Sequence, residues 1–192
     1  MTTRRRLSTS ERRAAILAAA REHFATTDYP EASVPVIAAA SGSSQSLVFH
    51  YYSSKAGLYA SVVEDSLRRL LDARLTAADL HPGHAVRDRV AALLQAHLDA
   101  LAADHTLLPG PGEPEAALRH RRAADEELAE QLRGIIGAGD LPRHAWALQG
   151  WVGFLGHAGR RWVELGCPED QRWPIIEAAL GALEGALGDW AV

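Results

Sequence analysis

Residues 33–58, SVPVIAAASGSSQSLVFHYYSSKAGL, carry so many caps and breakers that the local fold has little freedom. Ser33 stands where an N-cap is wanted, and Pro35 is tolerated in a first helical turn because no N–H partner is lost there. Val36, Ile37 and Ala40 give that helix an apolar side. Ser41-Gly42-Ser43 is a turn in which Gly42 can take the positive φ of a sharp bend. Ser44 caps a second helix, whose Val48 and Tyr52 lie four apart and face inward. Ser53-Ser54 breaks that helix and caps a third. The stretch therefore reads as two short helices joined by a tight turn, with a longer helix following at once. The outer face of the second helix is small, polar and aromatic, and fits a core poorly.

The same reading extends in both directions. Ser8-Thr9-Ser10-Glu11 has the S-x-x-E spacing of a capping box, so a helix begins near Ser8 or Ser10, with Ile16, Ala20 and Phe24 as its buried stripe. Helices are expected over 55–78 (Leu58, Val62, Leu67, Leu70 and Leu71 inward) and over 85–103 (Val86, Val90, Leu93, Leu94, His97 and Leu101 on one side). His81-Pro82-Gly83 separates them. Leu108 to Pro114, LPGPGEP, is the strongest breaker in the chain, and further helices are expected over 115–134, 142–165 and 169–187. No strand alternation and no long repeat is visible. The fold class is all-α, with about nine helices. The expected units are a head over 8–54 (core motif 33–52) and a helical body over 55–192, joined by the helix 55–78.

Composition excludes several classes. With 192 residues, 47% of them hydrophobic, the chain can bury a sizeable core. Its one cysteine, Cys167, cannot form an intrachain disulfide, which points to the cytosol. The longest apolar run, Ala14–Ala20, is too short to span a bilayer, and Glu11, Arg12 and Arg13 argue against a signal peptide. Residues 1–60 hold seven basic residues against four acids, a balance of +3, which leaves −7 of the total −4 for residues 61–192. That asymmetry fits a basic reading head on an acidic body. No nucleophile elbow, P-loop, dinucleotide fingerprint or H-E-x-x-H is present, and His81-x-x-His84 has no third ligand near it. No enzyme activity, cofactor or metal is expected.

The run Ala40 to Lys55, ASGSSQSLVFHYYSSK, resembles the helix-turn-helix of the tetracycline-repressor (TetR) family, roughly A-x-G-V-S-x-x-x-L-Y-x-[HY]-F-x-[ST]-K before an apolar helix. The likeness reaches upstream through Phe24, Ala20 and Ile16, and covers about 8–70. It implies double-stranded DNA as partner, read by the helix over 44–51. Such a helix enters the major groove with its N-terminal residues on base edges. Gln45 can offer a bidentate amide to adenine, Ser46 lets the backbone approach, and Leu47 or Phe49 can touch a thymine methyl. Ser33 belongs to the same candidate surface, and Ser44, His50 and Tyr51 are placed to donate to phosphates. Lys55, in the first turn of the following helix, can bind a phosphate together with the local N–H groups. Arg4, Arg5 and Arg6 form an arm suited to the backbone or the minor groove. The chain departs from the pattern at Phe49, which lacks the usual tyrosine hydroxyl, at Ser43, where valine is usual, and at Pro35.

The resemblance also implies a body that binds a small effector and pairs with a second copy through its last two helices. Leu148 to Phe154, LQGWVGF, with the later Trp162, is similar to the penultimate helix of many members. Candidate effector residues are His97, Trp151, Phe154 and His157. Glycine costs about 1 kcal/mol relative to alanine inside a helix, so the rows Gly150, Gly153, Gly156, Gly159 and Gly181, Gly185, Gly188 suggest close helix–helix approach. Candidate dimerisation residues are Gly150, Gly153, Gly156, Trp162, Leu180, Leu183 and Gly185. The function expected is that of a ligand-responsive homodimeric repressor that binds a palindromic operator and is released by its effector. A helical adaptor or an activator that keeps the scaffold without induction is the other reading.

Overall fold

A computed structural model describes residues 8–80 and 85–188. The described residues form α1 (Thr9–Phe24), α2 (Val34–Ala40), α3 (Gln45–Tyr52), α4 (Lys55–Asp79), α5 (Val86–Ala103), α6 (Glu115–Ile136), α7 (Pro142–Glu164) and α8 (Arg172–Leu187). Short 3-10 turns lie at His105–Leu107 and Glu169–Gln171. The fold is all-helical, with eight α-helices against the nine or so expected. The Arg4-Arg5-Arg6 arm and His81-x-x-His84 lie outside the described residues. None of the described helices is long and apolar enough to cross a membrane.

The predicted local chemistry sets the head. Glu11 N donates to Ser8 Oγ at 3.2 Å and Ser8 N to Glu11 Oε2 at 2.7 Å, a reciprocal capping box. Gly42 (φ +63°) closes α2: its N–H reaches Ala39 O at 3.0 Å and that of Ser43 reaches Ala38 O at 2.8 Å. This is the Schellman arrangement, which satisfies carbonyls the helix end would leave unpaired. Ser44 caps α3 through Leu47 N, and Ser54 caps α4 through Gly57 N. Ser33 departs from expectation, because its side chain accepts no cap bond. The second residue of α2 is Pro35, which has no N–H to give. Val36 and Ala40 also turn outward, and Val34, Ile37 and Ala38 fill the core instead.

Two apolar cores share α4. The first joins Ile16, Ala20, Phe24, Ile37, Val48 and Tyr52 to Leu58 and Val62 of the first half of α4. The second joins Leu70 to α5–α8, centred on Leu93, Leu94, Leu98, Leu132, Leu155, Trp162 and Leu180. One helix, α4, thus contributes side chains to the cores of both head and body.

Polar ties reinforce that junction. Arg21 of α1 meets Asp65 of α4 at 2.5 Å, Arg68 also lies at 2.5 Å from Asp65, and Tyr52 donates to Arg13 O at 2.9 Å. Burial pushes Asp65 upward, but the Arg68 hydrogen bond and the charges of Arg69 and Arg21 prevail and hold it below the ordinary 3.8. A carboxylate depressed in the folded state stabilises fully above its unfolded pKa and loses that contribution as pH falls through the folded value. Urea melts of wild type and Asp65→Asn should therefore differ most at neutral pH and converge below pH 3.8. A gap independent of pH would show that Asp65 acts by shape alone.

Candidate functional site

The chain from Ser44 to Lys55 presents one continuous polar face. Val48 and Tyr52 of α3 are buried and anchor it to the head. Half a turn away, Gln45, Ser46, Phe49 and His50 are exposed, with Leu47 and Tyr51 half-buried at the edges. The core therefore fixes the axial rotation of α3 and decides which side chains reach out. Ser44 Oγ is engaged as the cap and lies 2.9 Å from Ser46 Oγ, which orders both hydroxyls at the helix N-terminus. His50 and Tyr51 rings meet edge-on at 5.3 Å. Ser53 takes φ +64° at the end of α3, a conformation most non-glycine residues avoid, and this strained corner turns the chain into α4.

Lys55 sits in the first turn of α4 as expected, but its ammonium is already engaged. Nζ donates to Pro30 O at 2.9 Å and lies 4.9 Å above the Tyr29 ring. Two of its three donors remain for an anion. Ser33 is half-buried, and its N–H donates to His23 Nε2 at 3.1 Å, so it belongs to the α1–α2 corner.

In the body, α4, α5, α6 and α7 surround a cavity of about 170 Å³. His97 lines it, as the sequence suggested. Trp151, Phe154 and His157 do not. Trp151 is buried, with its indole N–H on Ala179 O at 2.6 Å between α7 and α8, and Phe154 and His157 lie on the outer face of α7. The residues that sequence reasoning missed are Arg74, Arg121, Asp125 and Arg160, which also line the cavity. Arg121 sits in the charged run RHRR, where nothing in the spacing separates it from its neighbours.

The candidate dimer residues divide. Trp162, Leu180 and Leu183 are buried inside the protomer and are not available to a second copy. Leu180 and Leu183 lie on α8, whose apolar and small residues extend around most of its circumference and do not single out the face its own core takes. Gly150, Gly153, Gly156 and Gly185 are exposed, and a Cβ added at any of them would meet nothing within 4 Å. Gly159 alone of its row faces inward, where an added Cβ would lie 2.6 Å from Leu101 Cδ1.

The described residues thus form a helix-turn-helix head set on an all-helical body. Residues 16–62 match the sequence model of the bacterial regulatory proteins of the tetR family. Among solved structures, a tetR-family transcriptional regulator from Streptomyces coelicolor superposes with a TM-score of 0.74 at 18% identity, covering 94% of this chain and 80% of that one. The fatty acid degradation regulator FadR from Bacillus halodurans gives 0.69 at 23% identity, over 88% of this chain and 98% of its own. FadR from Bacillus subtilis, solved in complex with stearoyl-CoA, gives 0.68 at 18% identity, over 92% and 98%. A comparison with curated proteins finds no significant match. Residues 16–62 thus resemble the DNA-binding domain of the tetR family, and the chain as a whole has the fold of tetR-family transcriptional regulators.

Proposed function

We propose that this protein is a homodimeric repressor that binds a palindromic operator through α3 and releases it when a small molecule occupies the body. The observation that carries the reading is the division of α3, with Val48 and Tyr52 locked in the core and Gln45, Ser46, Phe49 and His50 held outward. A rigid element presenting an amide, hydroxyls and an aromatic edge suits base readout in the major groove. Two such heads must lie about one helical turn of DNA apart, or a multiple, which makes pairing part of the mechanism. The outer faces of α7 and α8 support pairing. Trp146 is 80% and Trp173 53% exposed, on the same two helices as the open glycines.

The body offers a route from cavity to head. Arg121 lines the cavity and donates to the carbonyls of Thr106, Leu107 and Leu108 at 2.7–3.0 Å. It also pairs with Glu113, which accepts from the Tyr59 hydroxyl in the head's core at 2.8 Å. Tyr59 in turn packs against Phe24 and Tyr29. An occupant that shifts Arg121 therefore moves the strap 104–114 against the head. Effector binding that favours one head spacing weakens operator binding by the same coupling free energy.

Selection of bound duplexes from a random pool tests the reading: a palindrome is the expected product, with affinity falling steeply as salt rises. Gln45→Ala should cost roughly 1–3 kcal/mol and relax discrimination at one position of each half-site. Recovery of no enriched sequence at low salt, or indifference to Gln45→Ala, would favour a helical adaptor instead.

A further inference from the structure

The cavity has an unbalanced polar wall. Arg74 of α4 and His97 of α5 line it and are 6% and 5% exposed. Arg74 Nη2 and His97 Nδ1 lie 2.5 Å apart. A guanidinium cannot accept a hydrogen bond, so Nδ1 is the acceptor and the neutral imidazole carries its proton on Nε2. That choice agrees with burial and the Arg74 charge, which both hold His97 well below its ordinary pKa. Burial also draws Arg74 down, to about 10, against the opposing pull of Asp125, and leaves it cationic at neutral pH.

The tautomer has a consequence. His97 Nε2 and Arg74 Nε are both buried with no hydrogen-bond partner. Both are donors, and one belongs to a permanent cation. No ion pair within 4.0 Å is formed by Arg74 among the described residues. A buried charge and two buried donors without acceptors are costly unless something supplies the acceptors. Arg121 is paired with Glu113, so of the described lining residues Arg74 and Arg160 are left against one carboxylate, Asp125. Along the helices of Arg74 and His97 the lining is apolar, with Leu67 and Leu70 on α4 and Leu101 on α5. Size limits the guest, since a cavity of roughly 150 Å³ admits benzene and this one measures about 170 Å³.

We infer that the cavity takes a small monocarboxylate with a compact apolar body, whose carboxylate accepts from Arg74 and His97 while the apolar part lies against the leucines. The inference rests on the regulator reading and names the class of its effector. Carboxylate oxygens only accept, two lone-pair directions each, and so match the two unpartnered donors of Arg74 and His97.

Benzoate is a suitable probe, with benzamide and benzyl alcohol as neutral partners of the same size. Calorimetric titration and thermal melts of the full chain should show benzoate binding at least tenfold more tightly than either, and raising Tm. Arg74→Met should abolish that preference with helical content retained, and Arg74→Lys should keep part of it. Equal binding of the three compounds, no binding of benzoate, or the same preference in wild type and Arg74→Met would overturn the inference. A gel-shift assay on the same protein separates the two readings. If benzoate binds through Arg74 but no duplex is retained, the site stands and the regulator reading falls. Release of a bound operator by neutral compounds alone would sink the carboxylate and leave the regulator.

Discussion

Ala182→Arg should leave the protomer folded, split the proposed dimer, and lower affinity for the proposed operator by roughly 10²–10⁴-fold, the range by which linking two modules raises avidity. Ala182 lies on the exposed face of α8 beside Gly181 and Gly185, and the buried Leu180 and Leu183 point the other way. Alanine and arginine differ little in helix propensity, and a surface substitution away from caps and core is usually worth no more than about 0.5 kcal/mol in the protomer. The effect is therefore confined to association. Small residues let two helices approach closely, and a long charged side chain at the contact both holds them apart and loses its water. Sedimentation should report half the mass at micromolar concentration, and a gel shift should show only weak, salt-sensitive retardation. Unchanged mass and unchanged affinity would place the seam elsewhere than α7 and α8.

Glu113→Ala should have the largest effect on the fold itself. The Glu113 side chain is 3% exposed and that of Arg121 10%, and they pair at 2.6 Å. Glu113 also accepts from Tyr59, whose pKa is raised by burial and then by that hydrogen bond. Removing one partner of a buried pair leaves the other charge uncompensated, at a cost of about 3–5 kcal/mol. For a chain of this size each kcal/mol shifts Tm by about 2–4 °C, so the melt should fall by roughly 6–20 °C. Arg121 would keep its three carbonyl acceptors, which supports the lower half of that range. Glu113→Gln, which retains an acceptor for Tyr59, should lose less. A drop below about 1 kcal/mol, the size of an exposed pair, would mean that water reaches the junction and that the strap is not the tie between body and head.

The order of caps and breakers determined the head. Ser8, Gly42, Ser44 and Ser54 each satisfy or redirect backbone groups within four residues of themselves, and such chemistry is complete in the sequence. The inward positions of α1, α3 and α5 followed from helical spacing for the same reason, because an amphipathic stripe declares its own buried side. The tertiary structure decided what depends on residues far apart in the chain. It alone paired Arg74 with His97, wrapped the strap around Arg121, and chose which face of α8 the protomer would keep. Nothing in the spacing of RHRR singles out Arg121, and a helix as weakly amphipathic as α8 shows little preferred side until its neighbours arrive. Those choices are settled by packing, which acts between elements and leaves no mark within any one of them.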